Sequence, residues 1–171
     1  WLMAQDEGSV EEPERPERRL EERDRLEFVS FGFFLVLVGT INLITPNIYS
    51  EFVAFFKDFK LVEVAPNLFF PSPASNHPIV YGAVMKFCFA FGLFQVVILG
   101  LRFVFRDTLG RKAGTLSGII FWLGAGFLSN MLLTENIDWF AFLSGLIIFV
   151  GLSLVVRSLV VLLFGGARKE R

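Results

Sequence analysis

The run Ile79–Phe105, IVYGAVMKFCFAFGLFQVVILGLRFVF, follows a proline-rich stretch, Pro66–Pro78. It is longer than the roughly 20 helical residues needed to cross a hydrocarbon core. A run of that length predicts a membrane-spanning helix that carries Lys86, Cys88 and Gln95 within it. Three more apolar stretches, about 28–45, 114–133 and 139–164, predict its packing partners. With 54% apolar residues, 22 phenylalanines in 171 positions and a mean hydropathy of +0.59, the chain has more apolar surface than a soluble domain of this size can bury. The expected fold is all-α: one integral membrane four-helix bundle over residues 28–164, with spans at about 28–45, 79–105, 114–133 and 139–164.

The remaining segments are of different material. Residues 1–27 hold ten acids and five bases, a net of −5, while the rest of the chain carries +4. Pro16 suits the first turn of a helix, and opposite charges four apart, such as Arg18 with Glu22, support a solvated stalk running into the first span. More than twenty mostly polar residues precede that span, where a signal peptide would pass quickly from a short basic region to an apolar core. The first span is therefore expected to stay in the mature protein. After it, Thr45 is expected to cap a helix with Pro46 in its first turn. Residues 46–59 place Ile48, Phe52, Phe55, Phe56 and Phe59 at helical spacing opposite Asn47, Ser50, Glu51 and Asp58, the pattern of an amphipathic interfacial helix. Residues 60–78, with four prolines and no helical period, read as a stiff connecting loop or a lid. Residues 165–171 form a basic tail.

Basic residues set the expected orientation. With the N-terminus inside, the inner segments hold Arg15, Arg18, Arg19, Arg23, Arg25, Arg102, Arg106, Arg111, Lys112, Arg168, Lys169 and Arg171, twelve in all, against Lys57 and Lys60 outside. Both termini are then cytoplasmic in the cell membrane, and the segment 46–78 faces out.

The search for chemistry is brief. One cysteine excludes an intrachain disulfide and the Cys-x-x-Cys pair of thiol-redox bundles, and one histidine, His77, excludes bis-histidine haem ligation. No metal, phosphate or cofactor motif is visible, and no acid falls inside a span, so no catalytic residue, metal or cofactor is expected. The acidic tail and span-bound aromatics exclude nucleic-acid binding. The candidate polar layer is Lys86, Asn42, Asn130, Gln95 and His77. Lys86 is expected to point into the bundle, bonding Asn42 or Asn130 or reaching Glu135 or Asp138, as a clasp between helices or as an anion-attracting site. Cys88, Gln95 and Arg102, seven apart, share one helix face, and Gln95 is expected to point inward for an interhelical bond of about 1 kcal/mol. Gly32, Gly39, Gly114 and Gly118 are the candidate helix-packing positions. The Gly114–Gly118 step reads as an internal seam or as a contact between copies.

From the first span through ASNHPIVYGAV to the third, the chain resembles small uncharacterised four-helix membrane proteins of archaeal genomes. That resemblance implies a membrane fold and no activity. The residues point first to a non-enzymatic accessory or scaffold subunit, whose partners are the lipid bilayer and either a membrane partner subunit or further copies. The alternative is a small-solute or ion transport protein with a polar site near Lys86.

Overall fold

A computed structural model of the chain describes residues 14–105 and 107–165, with side chains over 28–105 and 107–164. Residues 1–13 of the acidic tail, Arg106 and residues 166–171 of the basic tail lie outside the described residues. The described chain is mostly helical: α1 (Glu14–Ile44), α2 (Ile48–Lys57), α3 (Pro78–Val104), α4 (Leu109–Leu133) and α5 (Trp139–Gly165), with two strands, β1 (Phe59–Ala65) and β2 (Leu68–Pro73), between α2 and α3. It divides into two compact units between Val36 and Leu37. The described part of the first is the front of α1; the second holds everything else.

Helices α3, α4 and α5 are each long and apolar enough to cross a membrane. The segment Phe28–Ile44 qualifies together with α2, from which it is bent by 93°. The bend falls where Pro46 removes an amide and Asn47 takes a left-handed backbone, φ 57°. The helix therefore restarts at Ile48 with Asn47 in the cap position, two residues later than a Thr45 cap would place it. Thr45 is buried, and its hydroxyl has no hydrogen-bond partner among the described residues.

Within the second unit α4 packs on α3 along one side and on α5 along the other. Small residues let these helices approach. Gly92 of α3 receives Leu123 of α4, and Gly145 of α5 receives Leu128 of α4. Gly126 faces Cys88 and Phe89, and Gly124 faces the Phe149 ring. With lipid as apolar as leucine, such close backbone approach is a main source of helix association in a membrane. Of the four glycines that the sequence singles out, only Gly118 has this role. Among the described residues, a methyl group at Gly32, Gly39 or Gly114 would meet nothing within 4 Å.

The segment read as a loop over 60–78 contains an antiparallel hairpin. Val62, Val64 and Leu61 suit a strand, and Pro66–Asn67, with Asn67 at φ 63°, follows the proline then left-handed order of a type II turn. A register shift between Glu63 and Ala65 marks a bulge beside that turn.

Candidate functional site

Polar side chains gather at the end of the helices that carries the hairpin. The centre is Asp58, the residue between α2 and β1. Its Oδ2 accepts the Ser75 amide at 2.6 Å and meets His77 Nε2 at 3.2 Å. Its backbone carbonyl accepts the Ala74 amide at 3.1 Å. One residue thus ties the end of α2 to the strand exit and to the residue before Pro78, where α3 begins. The Ser75 amide, with His77 helping and desolvation opposing, holds the Asp58 carboxyl below the usual aspartate range. His77 is buried, its side chain 10% exposed. It is a tether of the fold, and among the described residues no cluster of three metal-binding side chains surrounds it.

Beneath this tether Phe55 is the hub. Its ring meets Phe59, His77, Tyr81 and Trp139 edge-on, with centroids 5.1 to 6.1 Å apart. Val80, Tyr81, Leu128, Leu132 and Phe142 complete the buried cluster. Two residues of the apolar face of α2, Ile48 and Phe55, are therefore spent on the protein's own core, while Phe56 is 68% exposed. Sequence spacing gives the face of such a helix but not whether lipid or protein covers it.

Between β2, the start of α3 and the α4–α5 turn lies an open cleft of about 430 Å³, whose lining includes Ser72, Tyr81, Leu132, Glu135, Asp138 and Trp139. Each acid in it already holds the fold. Asp138 Oδ1 caps α5 by accepting the Ala141 amide at 2.7 Å. Glu135 sits at φ 57° in the position after the α4 cap, with the Glu135 amide bonded to the Leu132 carbonyl and the Asn136 amide to the Met131 carbonyl. That is the Schellman arrangement, usually completed by glycine. The Glu135 side chain accepts from Asn76 Nδ2 at 2.5 Å, which helps hold a backbone conformation that a non-glycine residue adopts at a cost.

The expected polar layer does not assemble. Lys86 is exposed, and no hydrogen bond or ion pair joins it to Asn42, Asn130, Glu135 or Asp138. Asn42 is exposed on α1, and Asn130 is half-buried with its carbonyl accepting from Thr134. The reason is helix rotation. Cys88 meets Gly126, Gln95 covers Gly118, and Arg102 Nη1 donates to the Arg111 carbonyl at 3.0 Å, so the face shared by these three is the one turned to α4. Lys86 lies two residues from Cys88, a rotation of about 200° at 3.6 residues per turn, and it falls on the exposed stripe of Ile79 and Leu93. At the opposite end of α3, Asp107 pairs with Arg111 at 3.4 Å and approaches Arg102 at 3.9 Å, while Lys112 stands over the Phe103 ring at 4.5 Å.

Sequence reasoning missed Asp58 as the partner of His77, and it missed Gly92, Gly124, Gly126 and Gly145. The glycines carried a signal in their positions within apolar runs. Asp58 carried none, because its partners stand 17 and 19 residues away.

The arrangement defines a class, a helical protein with three or four apolar helices compatible with a membrane. Comparison with protein-family models, with curated proteins and with solved structures finds no match. The resemblance to small archaeal membrane proteins gains no support from them.

Proposed function

We propose that the chain is a non-enzymatic accessory or scaffold subunit of a membrane complex, which presents a rigid hairpin on the outer face. In this reading α3, α4, α5 and the Phe28–Thr45 stretch cross the cell membrane, both termini are cytoplasmic by the basic-residue count, and α2 lies along the outer surface. The observation that carries it is the hairpin itself. It is fastened to α2 and α3 through Asp58, yet Leu61 is 72% exposed and Phe69 56% exposed, and apolar surface held out in this way marks contact with another molecule. The polar groups around it support the same reading, because His77, Asp58, Asn76, Glu135 and Asp138 are each engaged in holding elements together.

A transport protein would need a polar path between its helices. The outward placement of Lys86 and the exposure of Asn42 do not favour that alternative. Purification in mild detergent tests the choice. A scaffold retains a stoichiometric partner or further copies and tolerates Gln95→Leu, whereas solute flux through vesicles holding this chain alone would overturn the proposal.

A further inference from the structure

The two free edges of the hairpin differ. The bond from the Ala74 amide to the Asp58 carbonyl adds one hydrogen-bonded pair to the ladder, next to the Phe59↔Pro73 pair. Antiparallel pairs alternate between bonded and non-bonded. Lys60↔Ser72 and Val62↔Phe70 are therefore the bonded pairs, and Phe59, Leu61 and Glu63 on β1 turn their N–H and C=O groups outward, as Pro73, Pro71 and Phe69 do on β2. Trp139 Nε1 donates to the Pro71 carbonyl at 3.3 Å, in agreement with this alternation. The β2 edge is closed, since Pro71 and Pro73 have no N–H and α5 covers the Pro71 carbonyl. The β1 edge is open, with Lys60 to Ala65 all exposed and no proline among them.

We propose that this open β1 edge pairs with the β1 edge of a second copy, forming a four-stranded antiparallel sheet across a two-fold axis. The proposal names the partner for the scaffold reading and rests on it. A two-stranded hairpin is marginal by itself, and an exposed edge left open invites a further strand. The sequence of β1, FKLVEVA, is compatible with its own reverse. With the axis at Leu61, Lys60 stands opposite Val62 and Phe59 opposite Glu63; with the axis at Val62, Lys60 stands opposite Val64 and Leu61 opposite Glu63. Neither register sets like charges against each other, and both cover Leu61 and Val62. The two-fold axis is perpendicular to the sheet. Two copies in one bilayer therefore pair this way with the hairpin lying along the membrane surface.

The test uses the full chain in a Cys88→Ser background, in native membranes and then in nanodiscs. Leu61→Cys and Val62→Cys place thiols at the two candidate axes, and mild oxidation should give a disulfide-linked homodimer at one of them, with none for Phe69→Cys on the closed edge. Leu61→Pro deletes an outward N–H without touching the ladder to β2, and it should shift the nanodisc mass from two copies to one while the thermal transition persists. Monomeric mass with no homodimer at either thiol, or a dimer unchanged by Leu61→Pro, overturns the proposal. Cross-linking at these positions to a different protein overturns the second copy but leaves the scaffold reading standing. Solute flux by single copies removes both.

Discussion

Gly124→Ala tests how α4 and α5 come together. A methyl group at Gly124 would lie 2.6 Å from Cγ of Phe149, against an ordinary contact range that begins at 3.4 Å, so the ring root must give way by about 0.8 Å. Cγ is bonded directly to the Cβ of Phe149, and the ring cannot escape by swinging its tip. Either its first torsion leaves a favoured rotamer or the helices separate. Overpacking of this kind costs about 1–3 kcal/mol, and the removal of a helical glycine returns about 0.5–1 kcal/mol. The net expectation is a loss of about 1–2 kcal/mol. At about 2–4 °C per kcal/mol for a chain of this size, the thermal midpoint in detergent should fall by several degrees. Gly114→Ala on the same helix meets open space and should leave the midpoint unchanged or raise it. Phe149→Leu should recover part of the loss when combined with Gly124→Ala, a coupling that a double-mutant cycle measures. Equal shifts for Gly124→Ala and Gly114→Ala, or strictly additive losses in the cycle, would refute the close-approach argument.

Three other outcomes are expected. The Asp58 carboxyl is held below its ordinary range in the folded chain, so its contribution is present above the unfolded value near pH 4 and is lost as pH falls through the lower folded value; Asp58→Asn should remove that part of the acid sensitivity in melting curves taken below about pH 5, and an unchanged acid limb counts against the tether. Lys86→Met should leave the thermal midpoint unchanged or slightly higher, because the ammonium has no partner among the described residues and gains only by stretching toward the interface; a loss above about 1 kcal/mol would reveal a partner that this placement omits. In a Cys88→Ser background, Ser75→Cys should react with an impermeant thiol reagent on intact cells and Arg111→Cys should not, and the reverse pattern would invert the proposed topology.

What the sequence determined here is local. Apolar runs of 20 or more residues form most of α3, α4 and α5 wherever they are placed, because a helix satisfies its own backbone and needs only length and apolar side chains. Pro46 marked the break after α1 for the same reason, and the spacing of Cys88, Gln95 and Arg102 defined one face of α3. Which face meets α4 was decided by tertiary packing. Helical spacing fixes the angle between Lys86 and Cys88 but leaves the rotation of the whole helix free, and the contacts of Gly92, Gly118 and Gly126 set it. The hairpin was hidden by its prolines. Pro71 and Pro73 argue against a strand until the partner is known, and they are accommodated only because both lie at non-bonded positions on an edge that α5 covers. The role of His77 likewise depends on Asp58, which the fold brings to within 3.2 Å of it. A residue pattern encodes contacts a turn or two away in the chain; the register of a hairpin, the rotation of a helix and the partner of a lone histidine depend on segments that meet only when the chain is folded.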